Sequence, residues 1–140
     1  KLEYILLFLQ NQSLRENVSS FHQAAIEQIG QRIMTSPEKE WDFGAEASKL
    51  NISLKHFMLI FRNIQGMPPC HFVLRQRLFK AAGMLIQEKT SVKTIAHLCG
   101  FKNEFYFSRA FKKYMQIAPA EYRNKNIYTQ GTYQPPSIKG

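Results

Sequence analysis

The stretch TIAHLCGFKNEFYFSRAFKKYMQIAPAEYR, Thr94 to Arg123, decides the fold. Its apolar residues recur three and four positions apart, which is the spacing of one helix face. Gly100 predicts a turn after the first helix, Asn103 predicts the N-cap of the second, and Pro119 predicts the start of a short third helix. The stretch therefore predicts a helix–turn–helix, with Ser91 as the N-cap of its first helix.

A second arrangement of this kind lies about 50 residues upstream. Asp42 predicts the N-cap of a short helix, and Asn51 with Ile52 predicts a tight turn. Ser53 predicts the N-cap of a second helix that reaches about Gln65. The chain thus contains two predicted helix–turn–helix units, whose second helices begin at equivalent caps.

Longer helices are predicted around and between the two units. Residues 69–89 form a long apolar-faced pattern that opens with a proline, which is typical of a helix start. Upstream we predict helices over residues 2–11 and 21–34, separated by a polar connector over residues 13–20. Because no stretch shows sustained β alternation, the predicted fold class is all-α, with two helix–turn–helix subdomains joined by a long linker helix.

The net charge of +9 is concentrated in the second half of the chain. Residues 1–74 carry seven Lys and Arg against seven Asp and Glu, whereas residues 75–140 carry twelve against three. Such asymmetry indicates a polyanionic partner, either nucleic acid or an anionic membrane surface. Charge alone is equally consistent with a basic surface that only keeps the protein soluble.

The helix predicted from Glu104 has two different faces. Phe107, Ala110, Phe111 and Tyr114 share one arc, which suits a core. The opposite arc suits a DNA major groove, because Arg and Lys reach guanine edges or phosphates and an aromatic ring packs on a thymine methyl group. A solvated face explains the charges but not the exposed ring. This arc, with the cap, holds Asn103, Glu104, Phe105, Ser108, Arg109, Lys112 and Lys113.

The helix predicted after Ser53 is less typical of a DNA reader. Its predicted buried arc comprises Leu54, Phe57, Ile60, Phe61 and Ile64, and its outward arc comprises Lys55, His56, Met58, Leu59, Arg62 and Asn63. Met58 and Leu59 suit thymine methyl groups, another protein surface or an absent part of this protein equally well.

The spacing of the two units favours DNA. Recognition helices on one face of a duplex enter grooves that recur about every 34 Å. The predicted linker helix of roughly 20 residues spans about 30 Å. A single chain is therefore expected to present two readers about one helical turn apart.

From about Ile26 to Lys125 the chain resembles the DNA-binding domain of the AraC/XylS transcription regulators. The second unit carries the family's Ile-Ala pair, its Gly-Phe turn, its Phe-Ser-Arg-x-Phe-Lys run and the closing Pro-x-x-Tyr-Arg. RQRLFKAAGMLI resembles the family's linker helix, and SLKHFMLIFRNIQGMPP resembles its first recognition helix and exit.

The resemblance implies a bacterial transcription regulator, usually an activator, with double-stranded DNA and RNA polymerase as partners. It implies that bases are approached by Lys55, Met58 and Leu59 in the first unit and by Asn103, Glu104, Phe105, Ser108 and Arg109 in the second. Arg62, Lys112 and Lys113 are then expected at phosphates or groove edges, and His56 lies on the same outward arc.

The resemblance also implies a domain organisation. Residues 1–20 are expected to be a linker or the tail of a missing N-terminal effector-binding or dimerisation domain, which alone would bind a small-molecule effector. Residues 21–89 are expected to form the first subdomain with its linker helix, residues 90–125 the second, and residues 126–140 a flexible tail.

Three residues depart from the family's pattern. Glu46 occupies a position that is usually leucine, which predicts looser packing in the first unit. Met58 and Leu59 replace more polar residues, which weakens the case for base reading by that helix. Gln116 replaces a usual glycine, which is expected to affect only a turn.

The sequence does not predict an enzyme, a cofactor or a metal site. Its four histidines are scattered, and its acidic residues have no plausible metal or base partner. No apolar run is long enough to span a bilayer, and two cysteines are too few for a disulfide scaffold, so a cytoplasmic location is expected. The alternative function is a helical protein-interaction module that docks through Met58, Leu59 and Phe105.

Overall fold

The computed structural model describes residues 2–127, apart from the side chains of residues 16–18 and 127. That range holds seven helices and no β-strand, which confirms the predicted all-α class. Part of the predicted tail, residues 128–140, lies outside the described residues. The helices are α1 (Leu2–Thr35), α2 (Phe43–Lys49), α3 (Leu54–Gln65), α4 (Pro69–Gln87), α5 (Val92–Leu98), α6 (Glu104–Met115) and α7 (Pro119–Ile127).

The chain forms two compact units. The first comprises Lys1–Thr35 and Trp41–Phe72, and the second comprises Ser36–Glu40 and Val73–Gly140. Each unit contains one helix–turn–helix, formed by α2 and α3 in the first and by α5 and α6 in the second. The first turn of α4 belongs to the first unit, and the rest of that helix belongs to the second.

Helix α1 is continuous, so the predicted connector over residues 13–20 is wrong. That segment contains neither proline nor glycine, and its polar residues are compatible with a helix that faces water. Among the described side chains of α1, the buried ones lie in its C-terminal part, where Ile26, Ile29 and Ile33 pack in the first unit. Large apolar side chains near its start are exposed, namely Leu2, Tyr4, Ile5, Leu6, Leu7, Phe8 and Leu9.

Aromatic rings form much of the first unit's core. Phe57 and Phe61 of α3 are fully buried, and Phe43 of α2 packs against both rings. Phe72, at the start of α4, packs edge-on against Phe61 with ring centroids 5.5 Å apart. These contacts fix the rotation of α3 about its axis, because both buried rings lie on one side of it.

The second unit has a larger apolar core. It is built from α4, α5, α6 and α7, with Leu78, Leu85 and Ile95 among its fully buried members. Phe107 and Phe111 of α6 are also fully buried, so this helix too is fixed in rotation.

All four predicted N-caps are confirmed. The side chains of Asp42, Ser53, Ser91 and Asn103 each accept a hydrogen bond from a backbone N–H in the first turn that follows. Each of these bonds gives a partner to a backbone N–H that has none within its own helix. Short polar residues at these positions therefore set where both helices of each unit begin.

Candidate nucleic-acid interface

The outward face of α6 carries the cations predicted for it. Arg109, Lys112 and Lys113 are all exposed, while Glu104 and Ser108 are half-buried. The Phe105 ring lies among them with 76% of the residue exposed. An aromatic ring this exposed contributes nothing to the core, so its surface is available to a partner.

The start of α6 is held by Asn103. Its Oδ1 accepts from the backbone N–H of Phe105 at 2.7 Å and of Tyr106 at 3.1 Å. The side-chain oxygen is therefore used by the helix itself, which leaves only the amide NH₂ for a base or phosphate. Asn103 thus serves first as a cap that orients Phe105.

Behind α6, aromatic contacts fix its position within the second unit. The ring centroid of Phe107 lies 5.0 Å from that of Phe101, which is in the turn before the helix. Phe111 packs edge-on against Tyr122 of α7 at 5.3 Å. The outward side chains therefore project from a helix that is held at both ends.

The outward face of α3 mixes cations with aliphatic surface. Lys55, His56 and Arg62 are exposed, Leu59 is 58% exposed, and Met58 is half-buried. Ser53, Pro68 and these five residues line one shallow depression. The depression combines the apolar side chains of Met58, Leu59 and Pro68 with the cations of Lys55 and Arg62, which suits a groove that presents methyl groups and phosphates.

One prediction for α3 is wrong. Leu54 was expected on the buried arc but is 45% exposed. It is the first residue of the helix, where the side chain lies beyond the ring cluster that covers Phe57 and Phe61. Ile60 and Ile64, also expected in the core, are half-buried.

The twelve predicted contact residues fall into two separate sets. The α3 set is Lys55, His56, Met58, Leu59 and Arg62, and the α6 set is Asn103, Glu104, Phe105, Ser108, Arg109, Lys112 and Lys113. Each set lies on one helix of one unit.

Residues 36–40 contribute hydrogen bonds and an ion pair to the second unit, and no local pattern in the sequence predicts these contacts. The Arg77 guanidinium donates from Nε to the Pro37 carbonyl at 2.7 Å and from a terminal nitrogen to the Lys39 carbonyl at 2.8 Å. Burial lowers the pKa of Arg77. Lys80 pairs with Glu38 at 3.0 Å. A side chain at Gly100 would meet the Glu38 backbone at 2.8 Å, so this segment also restricts the turn before α6.

Glu46 is buried, and its partner is an arginine on α1. Arg32 donates to its two carboxylate oxygens at 3.0 and 3.2 Å, and the Lys49 ammonium lies 3.7 Å away. The Arg32 guanidinium also lies 5.3 Å from the centre of the Trp41 ring. The sequence singled out Glu46 as unusual but gave no signal of this partner, because the two residues are 14 positions apart on different helices.

The described part of the chain shows neither a metal site nor a membrane-spanning helix. Within residues 2–127, no three His, Cys, Asp or Glu side chains come together as metal ligands. Among the same residues, no helix combines the length and hydropathy needed to cross a bilayer.

Comparison with known proteins identifies the fold and the family. Residues 47–125, more than half of the chain, match the family model described as a helix-turn-helix domain. The regulator MtrA of Neisseria gonorrhoeae is 33% identical over 95 residues, which are 68% of this chain and 32% of that protein. The chain spans less than half of the length of the curated relatives that it matches.

Two solved structures share the fold. The DNA-binding domain of AdpA, crystallised with a target DNA, superimposes with a TM-score of 0.70 at 21% identity and covers 77% of this chain and 97% of that one. An AraC-type regulator from Chromobacterium violaceum superimposes with a TM-score of 0.69 at 22% identity and covers 81% of this chain and 99% of that one. These structures show the shared fold, and the family match, which covers α3 and α6, together with the similarity to MtrA establishes that this chain belongs to the AraC family of helix-turn-helix transcriptional regulators.

Proposed function

We propose that this chain is the DNA-binding part of a transcription regulator and that α3 and α6 enter successive major grooves of one site. The observation that carries the proposal is the outward face of α6, where three exposed cations and an exposed phenylalanine lie on one helix. The family match and the DNA complex of the AdpA domain, which has the same fold, support it.

The two recognition helices have different roles in this proposal. We propose that Arg109 donates two hydrogen bonds to a guanine and that Phe105 packs on a thymine methyl group, so that α6 carries most of the sequence reading. Lys112 and Lys113 bind phosphates, which gives affinity without sequence preference. On α3, Met58 and Leu59 contact thymines between the phosphate-binding Lys55 and Arg62.

Further parts of the proposal concern the whole regulator. We infer that it activates transcription, which is the activity that the names of several relatives state for those proteins. We further infer that RNA polymerase is the partner through which it acts. A small-molecule effector would bind a domain that precedes residues 21–89. Because bacterial DNA lies in the cytoplasm, the protein is placed there.

Selection of duplexes from a random library at near-physiological salt tests the proposal directly. Two enriched blocks about one helical turn apart are expected, because each recognition helix would select its own bases. Binding to a protein that persists at high salt, with no enriched duplex, would instead support the interaction module.

Arg109→Ala tests the orientation of α6. On the selected duplex we expect a loss of about 1–3 kcal/mol of binding free energy and relaxed preference at one base pair, because a bidentate contact to a base is lost. Lys113→Ala is the matched control, since it removes one exposed cation from the same helix and should weaken all duplexes alike. Fluorescence anisotropy on specific and unrelated duplexes measures both. Equal losses on both duplexes for Arg109→Ala would mean that Arg109 binds phosphate only.

A further inference from the structure

A cleft of about 670 Å³ lies between α1 and α3 within the first unit. Ile60 and Ile64 of α3 form part of its apolar lining. Its polar lining comes from both helices and includes Arg15, His22 and Gln23 on α1 and His56 and Asn63 on α3. The cleft is therefore bordered by two helices that both present hydrogen-bond donors.

The chemistry of this lining suits an anion. A guanidinium, two imidazoles and the Asn63 carboxamide can all donate hydrogen bonds, and no acidic residue is among the described residues that line the cleft. The Gln23 Nε2 already donates to the Glu27 carboxylate at 3.1 Å. The His22 and His56 rings meet edge-on with centroids 6.1 Å apart, so the α1 and α3 sides approach each other there. An extended, negatively charged chain can be bound by donors from both sides.

The cleft adjoins the face of α3 that we propose enters the DNA major groove. His56 and Asn63 lie at one edge of the outward face of α3, beside the depression lined by Lys55 and Leu59. A helix is about 10–12 Å across and the major groove is about 12 Å wide, so the flanks of a bound helix lie close to the phosphates of the groove wall. His56 lines both the cleft and the depression, so the two adjoin at that flank of α3.

We propose that this cleft holds one strand of the DNA backbone, bound between Arg15 of α1 and His56 of α3. The inference rests on the proposed function and extends it, because it adds a contact from outside both helix–turn–helix motifs. The N-terminal part of α1 then borders the strand on the side away from α3. Arg15 contributes affinity on every sequence, and His22 adds a second donor from α1.

The experiment measures DNA affinity of Arg15→Ala against salt concentration, on the selected duplex and on an unrelated one. We expect a roughly five- to tenfold loss on both duplexes and a decrease of about one in the slope of log affinity against log salt, as for one lost phosphate contact. Lys39→Ala is the matched control, because it removes one positive charge from an exposed position outside the cleft. Arg15→Lys should restore part of the affinity.

A second measurement separates contact from structural damage. Duplexes in which single phosphates are replaced by neutral methylphosphonates are titrated with the wild-type protein and with Arg15→Ala. At one or two adjacent positions the replacement should weaken the wild type several-fold and the variant hardly at all. A merely destabilised variant would instead remain sensitive at every position.

Two results would overturn the inference while leaving the proposed function intact. In the first, Arg15→Ala matches Lys39→Ala in affinity and salt slope while Lys113→Ala still weakens binding. In the second, wild type and Arg15→Ala have the same methylphosphonate profile. Binding of inorganic phosphate that is lost in Arg15→Ala, without any effect on DNA, would assign the cleft to a small anion. If the wild type selects and binds no duplex, the proposed function itself fails.

Discussion

In the first unit Phe61 packs edge-on against Phe72 at 5.5 Å, and in the second Phe111 packs edge-on against Tyr122 at 5.3 Å. Both pairs are separated by eleven residues and join the recognition helix to the helix that follows. The N-caps Ser53 and Asn103 are equivalent as well. The two units therefore repeat the same arrangement of caps and aromatic contacts at a spacing of about 50 residues. Where the units differ, the helix–turn–helix fold tolerates a change of residue.

The clearest difference lies inside the first helix of each unit. Glu46 is the fourth residue of α2, and Ile95 is the fourth residue of α5. Ile95 is fully buried in an apolar core, whereas Glu46 is buried with Arg32 of α1 as its partner. An apolar contact in one unit is thus replaced by an ion pair with a separate helix in the other.

The chain contains a natural probe for each unit. Its single tryptophan, Trp41, belongs to the first unit. Cys99 is buried in the second, and burial raises the pKa of its thiol to about 11, so it should react with a thiol reagent only when that unit opens. Cys70 is exposed and provides the internal standard for labelling.

The largest change in unfolding free energy is expected when Glu46 and Ile95 are each replaced by the residue that the other unit carries. Ile95→Glu should lower the free energy of unfolding of the second unit by about 4 kcal/mol or more, because a carboxylate would be buried in an apolar core. Glu46→Ile should stay within about 1.5 kcal/mol of wild type, because apolar burial offsets the lost pair and Arg32, with half of its side chain exposed, can be hydrated. Urea unfolding followed by Trp41 fluorescence and Cys99 labelling reports each unit. Ile95→Val, at about 0.5–1.5 kcal/mol, is the control. Equal costs for both exchanges would show that the ion pair gives Glu46 no special tolerance.

A smaller effect is expected at the ends of the recognition helices. Gly66 ends α3 at φ 83° and Gln116 ends α6 at φ 70°, so both adopt the left-handed conformation that favours glycine. Gln116→Gly should raise the unfolding free energy of the second unit by about 1 kcal/mol. Gly66→Gln should lower that of the first by a similar amount, through backbone conformation alone, since a Cβ there would meet nothing within 4 Å. Thermal and urea unfolding test both. No gain from Gln116→Gly would mean that the Gln116 side-chain bond to the Lys113 carbonyl compensates for the strain.

The smallest effect is expected in the pH dependence of the stability of the second unit. A hydrogen bond from its own backbone, together with the Lys80 ammonium, holds the pKa of Glu38 below its usual value of 4.5. The folded protein thus binds this proton less readily than the unfolded chain, so Glu38 stabilises the second unit above about pH 4.5 and ceases to do so as pH falls through its folded pKa. Between about pH 5 and 3, Glu38→Gln should make the opening free energy of the second unit, measured by amide hydrogen exchange near Ile95, slightly less dependent on pH, while Trp41 fluorescence is unchanged. An identical pH dependence in the variant would assign the acid sensitivity to other carboxylates.

Local patterns in the sequence predicted much of this molecule. The caps at Asp42, Ser53, Ser91 and Asn103 act within three residues, so they can be read directly from the chain. The outward faces of α3 and α6 follow from helix periodicity for the same reason. The residues proposed to bind DNA lie mostly on those faces, which is why they could be predicted as sets.

Contacts between distant residues could not be predicted in this way. Arg77 binds carbonyl groups 38 and 40 residues away, and Arg32 binds Glu46 across two helices. Nothing local marks such partners, because they depend on how the helices pack. The continuity of α1 was missed for another reason: a polar composition distinguishes a connector from a solvated helix poorly, and no proline or glycine interrupts residues 13–20.

Helix α1 has a consequence for amide hydrogen exchange. It is 34 residues long, yet its buried residues lie between Ile26 and Ile33. Isolated helical turns are marginal in water, so amides of residues 3–15 should exchange through local fraying, whereas those near Ile29 should exchange only when the first unit unfolds. One unbroken helix then carries two very different protection factors. DNA bound in the cleft would move the boundary between them toward Arg15, and exchange would register that shift residue by residue.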